Sequence, residues 1–298
     1  MYPSPFRYHR AATLADAIAR VASAGDEARI LAGGQSLTAM MKTRLAAPAE
    51  LVDIGFIPGL AYLRPDADYL RLGALARHRD VELASMERGL EILHDAASVI
   101  ADVQVRNRGT VCGSLAHADP GGDWAPVMLA LGAELEIVGP DGTRTVPVRN
   151  FFLDFFTTDL RRGEVLRELR IPITAERRTG AYLALKRRAG DYAIAGVAVS
   201  LVLDAQGMCV GAGIGLGNVG PTPLIAEEAE RRLIGNDPAA AQVIRAVVAA
   251  AVAAAQPGSD NHGSAEYKRE VVGALVRRAL DIAVRRDHGE TIVAYDHV

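Results

Sequence analysis

The stretch ILAGGQSLTAMMK, Ile30 to Lys42, constrains this chain more than any other. An apolar run ends in two glycines, then Gln35 and Ser36, then a helical pattern. A glycine pair lets the backbone turn at positive φ and approach a ligand closely. The N–H groups that follow it at the mouth of a helix favour an anion such as phosphate. Taken alone, the stretch reads equally well as a plain strand-to-helix turn. A second stretch, RNRGTVCGSLAHADPGGD from Arg106 to Asp123, tips the balance. It gathers Thr110, Ser114, His117 and Asp119 into what reads as one loop before a helix, with Arg106 and Arg108 upstream to offset phosphate charge. Two Gly–Ser loops in one domain suit a diphosphate better than a single phosphate.

The surrounding segments alternate between helix and strand. Thr13 is placed to cap a helix through LADAIARVASAG, which Gly25 ends. ARILAG, ELVDI and YLRLGAL read as strands, while SLTAMMKTRLA and HRDVEL read as helices. DWAPVMLALG fits a helix with Asp123 near its start, and AELEIVGPDGTRTVPV fits two strands around a Pro-Asp-Gly turn. EVLRELRIP reads as a strand, and the polar ITAERRTG marks a domain boundary. Beyond it, AYLALKRR, AIAGVAVSLVLD and CVGAGIGLG suggest an antiparallel sheet. Helical segments near Leu224–Ile234, Ala239–Ala255 and Ala265–Arg286 follow. Strands first and helices afterwards indicate a separate α+β domain.

Composition narrows the function classes. The 298 residues suffice for two domains, and 50% hydrophobic content allows large cores. A net charge of -3 gives no reason to expect nucleic acid or anionic lipid as the main partner. The most apolar helical stretch, AVVAAAVAAA, is far shorter than the ~20 residues that span a bilayer. A cytoplasmic protein without a membrane span is the expectation. Cys112 and Cys209 form neither a disulfide framework nor a metal-spaced cluster. GLGNVG, Gly215 to Gly220, matches G-x-G-x-x-G, but Pro221 and Pro223 follow where a helix should open, so it reads as a loop after a strand. His117 with Asp119 is at most half of a metal site, and a hydrogen-bonding loop residue is the better reading. No metal ligand set is assigned.

Four segments in order carry a family resemblance: LAGGQSLTAMMKTRLAAPAELVDI, RNRGTVCGSLAHADPGGD, GEVLRELRIP and KRRAGDYAIAGVAV. They resemble the FAD-binding medium subunit of molybdenum hydroxylases, the family of carbon monoxide dehydrogenase and bacterial xanthine dehydrogenase. The resemblance implies an α+β chain. An FAD-binding domain of the vanillyl-alcohol oxidase type, in two subdomains, would occupy residues 1–175. A C-terminal antiparallel sheet with helices would occupy 176–298. It further implies FAD contacts from Arg29, Ile30, Leu31, Ala32, Gly33, Gly34, Gln35, Ser36 and Leu37, with residues 33–36 donating to the pyrophosphate. Thr110, Gly113, Ser114, Ala116, His117 and Asp119 would contact FAD from the second stretch, and Asp123 would reach its ribose or pyrophosphate side. Leu166 and Lys186 match positions near the flavin ring, and Tyr192 matches an aromatic over one ring face.

The implied role is electron transfer. A large subunit would hold the molybdenum cofactor, and a small subunit two [2Fe–2S] clusters. This chain would pass electrons to an external acceptor, within a dimer of heterotrimers. No residue is assigned as an acid or base. A self-sufficient oxidase or reductase of the same superfamily is the alternative, and a scaffold that has lost its flavin is a further rival. One departure stands out: Cys112 stands where many relatives carry Gly, and Cys does not adopt every conformation open to Gly. There is no cysteine-rich insertion that would hold an extra cluster.

Overall fold

The computed structural model describes residues 2–86, 89–174 and 176–297. Ala175, at the expected boundary, lies outside the described residues. The N-terminal lobe contains β1 (Arg7–Arg10), α1 (Leu14–Ala24), β2 (Ala28–Leu31), α2 (Leu37–Thr43) and β3 (Glu50–Asp53). Its strands are parallel, in the order β1-β3-β2. The Thr13 hydroxyl caps α1 by accepting from the Asp16 N–H at 3.1 Å, as its position predicts. A small core of Ala17, Val52, Ile54, Ile57 and Leu60 holds the lobe together. Gly33 to Ser36 follow β2 at the carboxyl edge of this sheet, where parallel α/β sheets bind ligands.

The central lobe is built from β4 (Leu63–Pro65), β5 (Tyr69–Gly73), α3 (His78–Leu83), α4 (Glu91–Val99), α5 (Val103–Arg106), α6 (Val111–His117) and α7 (Trp124–Ala130). It continues with β6 (Glu134–Gly139), β7 (Gly142–Pro147), a hairpin of β8 (Phe152–Asp154) and β9 (Thr157–Thr158), and β10 (Val165–Pro172). The large strands form one sheet in the order β4-β5-β10-β6-β7, paired antiparallel throughout. The β6–β7 turn falls at Pro140-Asp141, where the sequence placed it. Trp124, Leu72, Leu135, Ile137 and Leu169 are fully buried in the core beneath the helices.

The C-terminal part opens with β11 (Arg177–Leu185), β12 (Ala195–Leu203), β13 (Cys209–Gly217) and β14 (Leu224–Ile225), an antiparallel sheet in chain order. The helices α8 (Glu227–Leu233), α9 (Ala241–Ala254) and α10 (Ala265–Asp287) follow. Expected sheet and expected helices are both present. Two element limits shift: Leu224 lies in a strand rather than a helix, and β11 begins at Arg177, inside the polar stretch read as marking a domain boundary. The second shift has a tertiary cause. Arg177 pairs with Asp287 of α10, so its polar side chain is satisfied within the fold.

This sheet is covered on both faces. One face packs on α8 and α10, and α9 packs on those two helices. The other meets α4 and α7 of the central lobe, so Tyr182, Ala184 and Ala198 belong to the central core. Helix α7 lies close on β13 because Gly213 and Gly215 carry no side chain. A Cβ at either would overlap the carbonyl of Ala130 or Pro126. Gly215 and Gly217 are the first glycines of the GLGNVG stretch, so helix-on-sheet packing explains them without a nucleotide. A buried ion pair crosses the same junction. The Arg286 guanidinium donates to both oxygens of Asp95, at 2.7 and 2.8 Å, and also to the Gly180 and Ile292 carbonyls.

Candidate functional site

The first glycine stretch forms a loop between β2 and α2. Gly34 adopts φ +74, a conformation that side chains rarely take. Gly33 has a different reason to be glycine: a Cβ there would overlap the carbonyl of Arg108 and the Gly109 backbone. The two glycine stretches therefore touch, backbone to backbone. Among the described residues, the N–H groups of Gly33, Gly34, Gln35, Ser36 and Leu37 have no hydrogen-bond partner. Neither does the Ser36 hydroxyl. The first N–H groups of a helix have no partner within it, so those of Gln35, Ser36 and Leu37 at the mouth of α2 stay open, and Gly33 and Gly34 extend the row. Open N–H groups of this kind at a helix mouth favour an anion. Arg29, just before the loop, donates from one guanidinium nitrogen to the Asp26 and Ala28 carbonyls, each at 2.9 Å.

The second stretch differs from its expected form. Residues read as one loop are mostly helix α6, from Val111 to His117. Thr110 caps it by accepting from the Gly113 N–H at 3.2 Å. Its TVCG sequence explains this in hindsight, since Thr is a preferred cap residue. Only Asp119 to Gly122 form the loop before α7, turned by Asp119, which accepts from the Gly121 and Gly122 N–H groups. Arg106 does not serve a phosphate either. It is buried, paired with Glu82 at 3.0 Å, and donates to the Ile100 and Ala101 carbonyls. Arg108 remains exposed. The Ser114 hydroxyl has no partner among the described residues and borders Gly122.

Cys112 is the second residue of α6, in helical backbone. No left-handed conformation is required there, so Cys replaces Gly without strain. Its thiol lies under β5, 3.9 Å from the Leu72 carbonyl and 3.8 Å from that of Gly73. Burial pushes its pKa up to about 12, which removes it as a nucleophile.

A buried polar cluster stands behind the second stretch. Asp123 accepts from the Tyr182 hydroxyl at 2.8 Å and pairs with the Lys186 ammonium at 3.2 Å. Lys186 also donates to the Val99 carbonyl at 2.7 Å. Burial raises the Asp123 pKa, while Lys186 and Tyr182 oppose that shift. The Tyr182 hydroxyl is held neutral, its pKa driven well up by burial and by the Asp123 charge. Tyr192 is 55% exposed, with its ring against Gly121; a Cβ on that glycine would come within 3.1 Å. Its hydroxyl end is nevertheless shielded. That shielding, together with the Asp119 and Asp123 charges, pushes its pKa up to about 12.

The other expected residues are placed as follows. The His117 ring lies 5.1 Å from the Phe156 ring, and burial lowers its pKa. Ala116 is half-buried on α6 beside it. Leu166 is buried in β10, paired across the ladder with Ile137, in the core on which α6 packs. Ile30, Leu31 and Ala32 lead into the first loop, and Leu37 opens α2.

Three residues of the site escaped the sequence reading. Tyr182 looked like one more alternating strand residue. His78 is buried in α3. It accepts from the Trp124 indole N–H at 2.9 Å, and its backbone N–H donates to the Gly109 carbonyl at 3.0 Å. Asn218 sits inside the GLGNVG stretch and holds the Pro120 carbonyl at 2.8 Å. A cavity of about 460 Å³ lined by Thr13, Pro58, Tyr62 and Arg71 shares no residue with either glycine stretch. Among the described residues, no three His, Cys, Asp or Glu side chains are grouped to hold a metal ion, and no helix is long and apolar enough to cross a membrane.

Comparison with known proteins gives consistent matches over nearly the whole chain. Residues 4–174 match the family of the FAD binding domain in molybdopterin dehydrogenase. Residues 180–283 match the carbon monoxide dehydrogenase flavoprotein C-terminal domain. The chain is 41% identical to the carbon monoxide dehydrogenase medium chain of Afipia carboxidovorans, covering 96% of this chain and 99% of that one. It is 37% identical to the 6-hydroxypseudooxynicotine dehydrogenase complex subunit alpha of Paenarthrobacter nicotinovorans, covering 96% and 97%. A solved structure of carbon monoxide dehydrogenase from Oligotropha carboxidovorans superposes with a TM-score of 0.92 at 40% identity, covering 96% of this chain and all of that one.

Proposed function

Because the chain belongs to the family of FAD-binding medium subunits of molybdenum-dependent hydroxylases and dehydrogenases, we propose that it is the electron-transfer subunit of such a complex. It takes electrons from [2Fe–2S] clusters on a small subunit and delivers them to an external acceptor. A large subunit holds the molybdenum cofactor and selects the substrate, and the whole assembles as a dimer of heterotrimers. Relatives named as a medium chain and as a complex subunit support this over a self-sufficient flavoenzyme. The two N-terminal cores support a two-subdomain FAD domain of the vanillyl-alcohol oxidase type, and we divide the chain at 175/176.

The observation that carries the reading is the row of N–H groups from Gly33 to Leu37, unpaired among the described residues, with Gly33 packed against Arg108 and Gly109. Those groups and the Ser36 and Ser114 hydroxyls would bind the FAD diphosphate. Thr110, Gly113, Ala116, His117 and Asp119 would border it. Lys186 and Leu166 would lie near the ring, Asp123 would stand on the ribose or pyrophosphate side, and Tyr192 would cover one face. Bound flavin supplies the redox chemistry, while the protein sets binding, orientation and access. The Lys186 ammonium is held beside Asp123 at 3.2 Å, and the Tyr182 hydroxyl, kept neutral by burial, donates to the same carboxylate.

Two measurements test this. The chain purified with its partners is expected to show flavin absorption and to take up FAD when stripped; a folded sample that does neither refutes the assignment. Gly34→Val puts a branched residue at φ +74 and is expected to abolish FAD retention while the C-terminal part stays folded. Normal flavin content in that variant would remove the first loop from the site.

A further inference from the structure

The stretch GLGNVG failed as a dinucleotide fingerprint, yet its asparagine is unusually placed. Asn218 adopts φ +58, a left-handed conformation that Asn tolerates better than most residues. From there it makes two bonds in two directions. Its backbone N–H donates to the Pro120 carbonyl at 2.8 Å, in the loop between α6 and α7. Its side-chain Nδ2 donates to the Ala193 carbonyl, the residue after Tyr192. The next residue, Val219, is fully buried and accepts from the Gln256 N–H at 2.7 Å, which anchors the turn to the end of α9. Asn218 is therefore a rigid bracket on the C-terminal part, holding both the Asp119–Gly122 loop and the Tyr192 segment. The Tyr192 ring lies on Gly121 between these two attachment points.

We infer that Asn218 is a positioning residue for the flavin site: it fixes Tyr192 against the second glycine stretch and so sets how that ring lies across the flavin face. This rests on the FAD reading given above. Asn218 touches neither the first loop nor the unpaired N–H row, so it acts on the cover of the site rather than on its diphosphate grip.

Asn218→Gly in the full chain is the test, because glycine keeps the left-handed turn and the N–H to Pro120 while removing the bond to Ala193. Hydrogen exchange over residues 191–194 is expected to speed up with or without FAD, while α10 is unchanged. FAD should still bind, with a Kd about fivefold weaker, the size of one lost hydrogen bond. Fluorescence of the bound flavin should rise as Tyr192 leaves the ring, by about as much as in Tyr192→Ala. Adding Asn218→Gly to Tyr192→Ala should cause no further rise. Unchanged exchange over 191–194, unchanged flavin fluorescence in the single variant, or a further rise in the double variant would each overturn the role of Asn218. Failure of the unsubstituted chain to bind FAD would refute the flavin reading, and the exchange measurement without FAD would still decide whether the bracket exists.

Discussion

The two glycine stretches read alike in sequence and are built in opposite ways. The first is a bare turn. Gly34 is left-handed; among the described residues, five N–H groups have no partner, and no side chain of the central or C-terminal lobe hydrogen-bonds to residues 33–37. The second is a capped helix and an aspartate-turned loop. It is fastened by Thr110 within itself, by His78 from α3, and by Asn218, with Asp123 held by Tyr182 and Lys186. On the function proposed above, one side of the site is left for its ligand to complete, and the other is completed by the protein. A ligand that satisfies orphaned donors stabilises most where the fold left them open. FAD should order the first stretch far more than the second.

The contrast breaks most severely if the C-terminal sheet comes away from α4. Arg286→Ala leaves Asp95 buried without its partner, an effect worth about 3–5 kcal/mol. The melting temperature should drop sharply. Hydrogen exchange of the FAD-loaded chain should rise around Asp123 and Tyr182 before it rises in residues 33–37, whose N–H groups have only the ligand to protect them; equal loosening of both stretches would show that they share one support. Acid acts next. Burial depresses the His78 pKa from 6.5 to about 4, so the unfolded chain takes up a proton that the folded chain refuses. Stability from this residue is complete above pH 6.5 and is lost as pH falls toward 4, a loss of roughly 3 kcal/mol. Thermal melts across that window should show the slope, and His78→Gln should flatten it. An unaltered slope in the variant would assign the acid sensitivity to other groups.

The smallest effect sharpens the contact between the stretches. Gly33→Ala should cost about 1–3 kcal/mol through overlap with Arg108 rather than through backbone conformation. It should weaken FAD binding by separating the two halves. If affinity is unchanged, the halves do not need to touch.

Much of this organisation was legible in the residues themselves. Thr13, the Pro140-Asp141 turn and the alternating EVLRELRIP gave the right elements, because caps, turns and period-two strands are local. The glycine pair after β2 pointed to an anion for the same reason. What misled was also local resemblance. RNRGTVCGSLAH looked like a loop by its small residues, yet Thr110 starts a helix there, and Arg106 is drawn inside by Glu82. Cys112 looked like a defect in a glycine loop and is an ordinary buried helical residue.

Sequence alone determined the order of elements and pointed to a diphosphate, since both depend on motifs within a few residues of one another, and the resemblance of four segments to a known family made that diphosphate FAD. Tertiary structure alone decided which partners those motifs have. Tyr182 meets Asp123, Asn218 meets Pro120 and Ala193, and Arg286 meets Asp95 only because β11, β13 and α10 pack on α4 and α7. Those contacts join residues up to 191 positions apart in the chain. They arise from burial, which pairs polar groups once water is excluded and leaves no local signature to read beforehand.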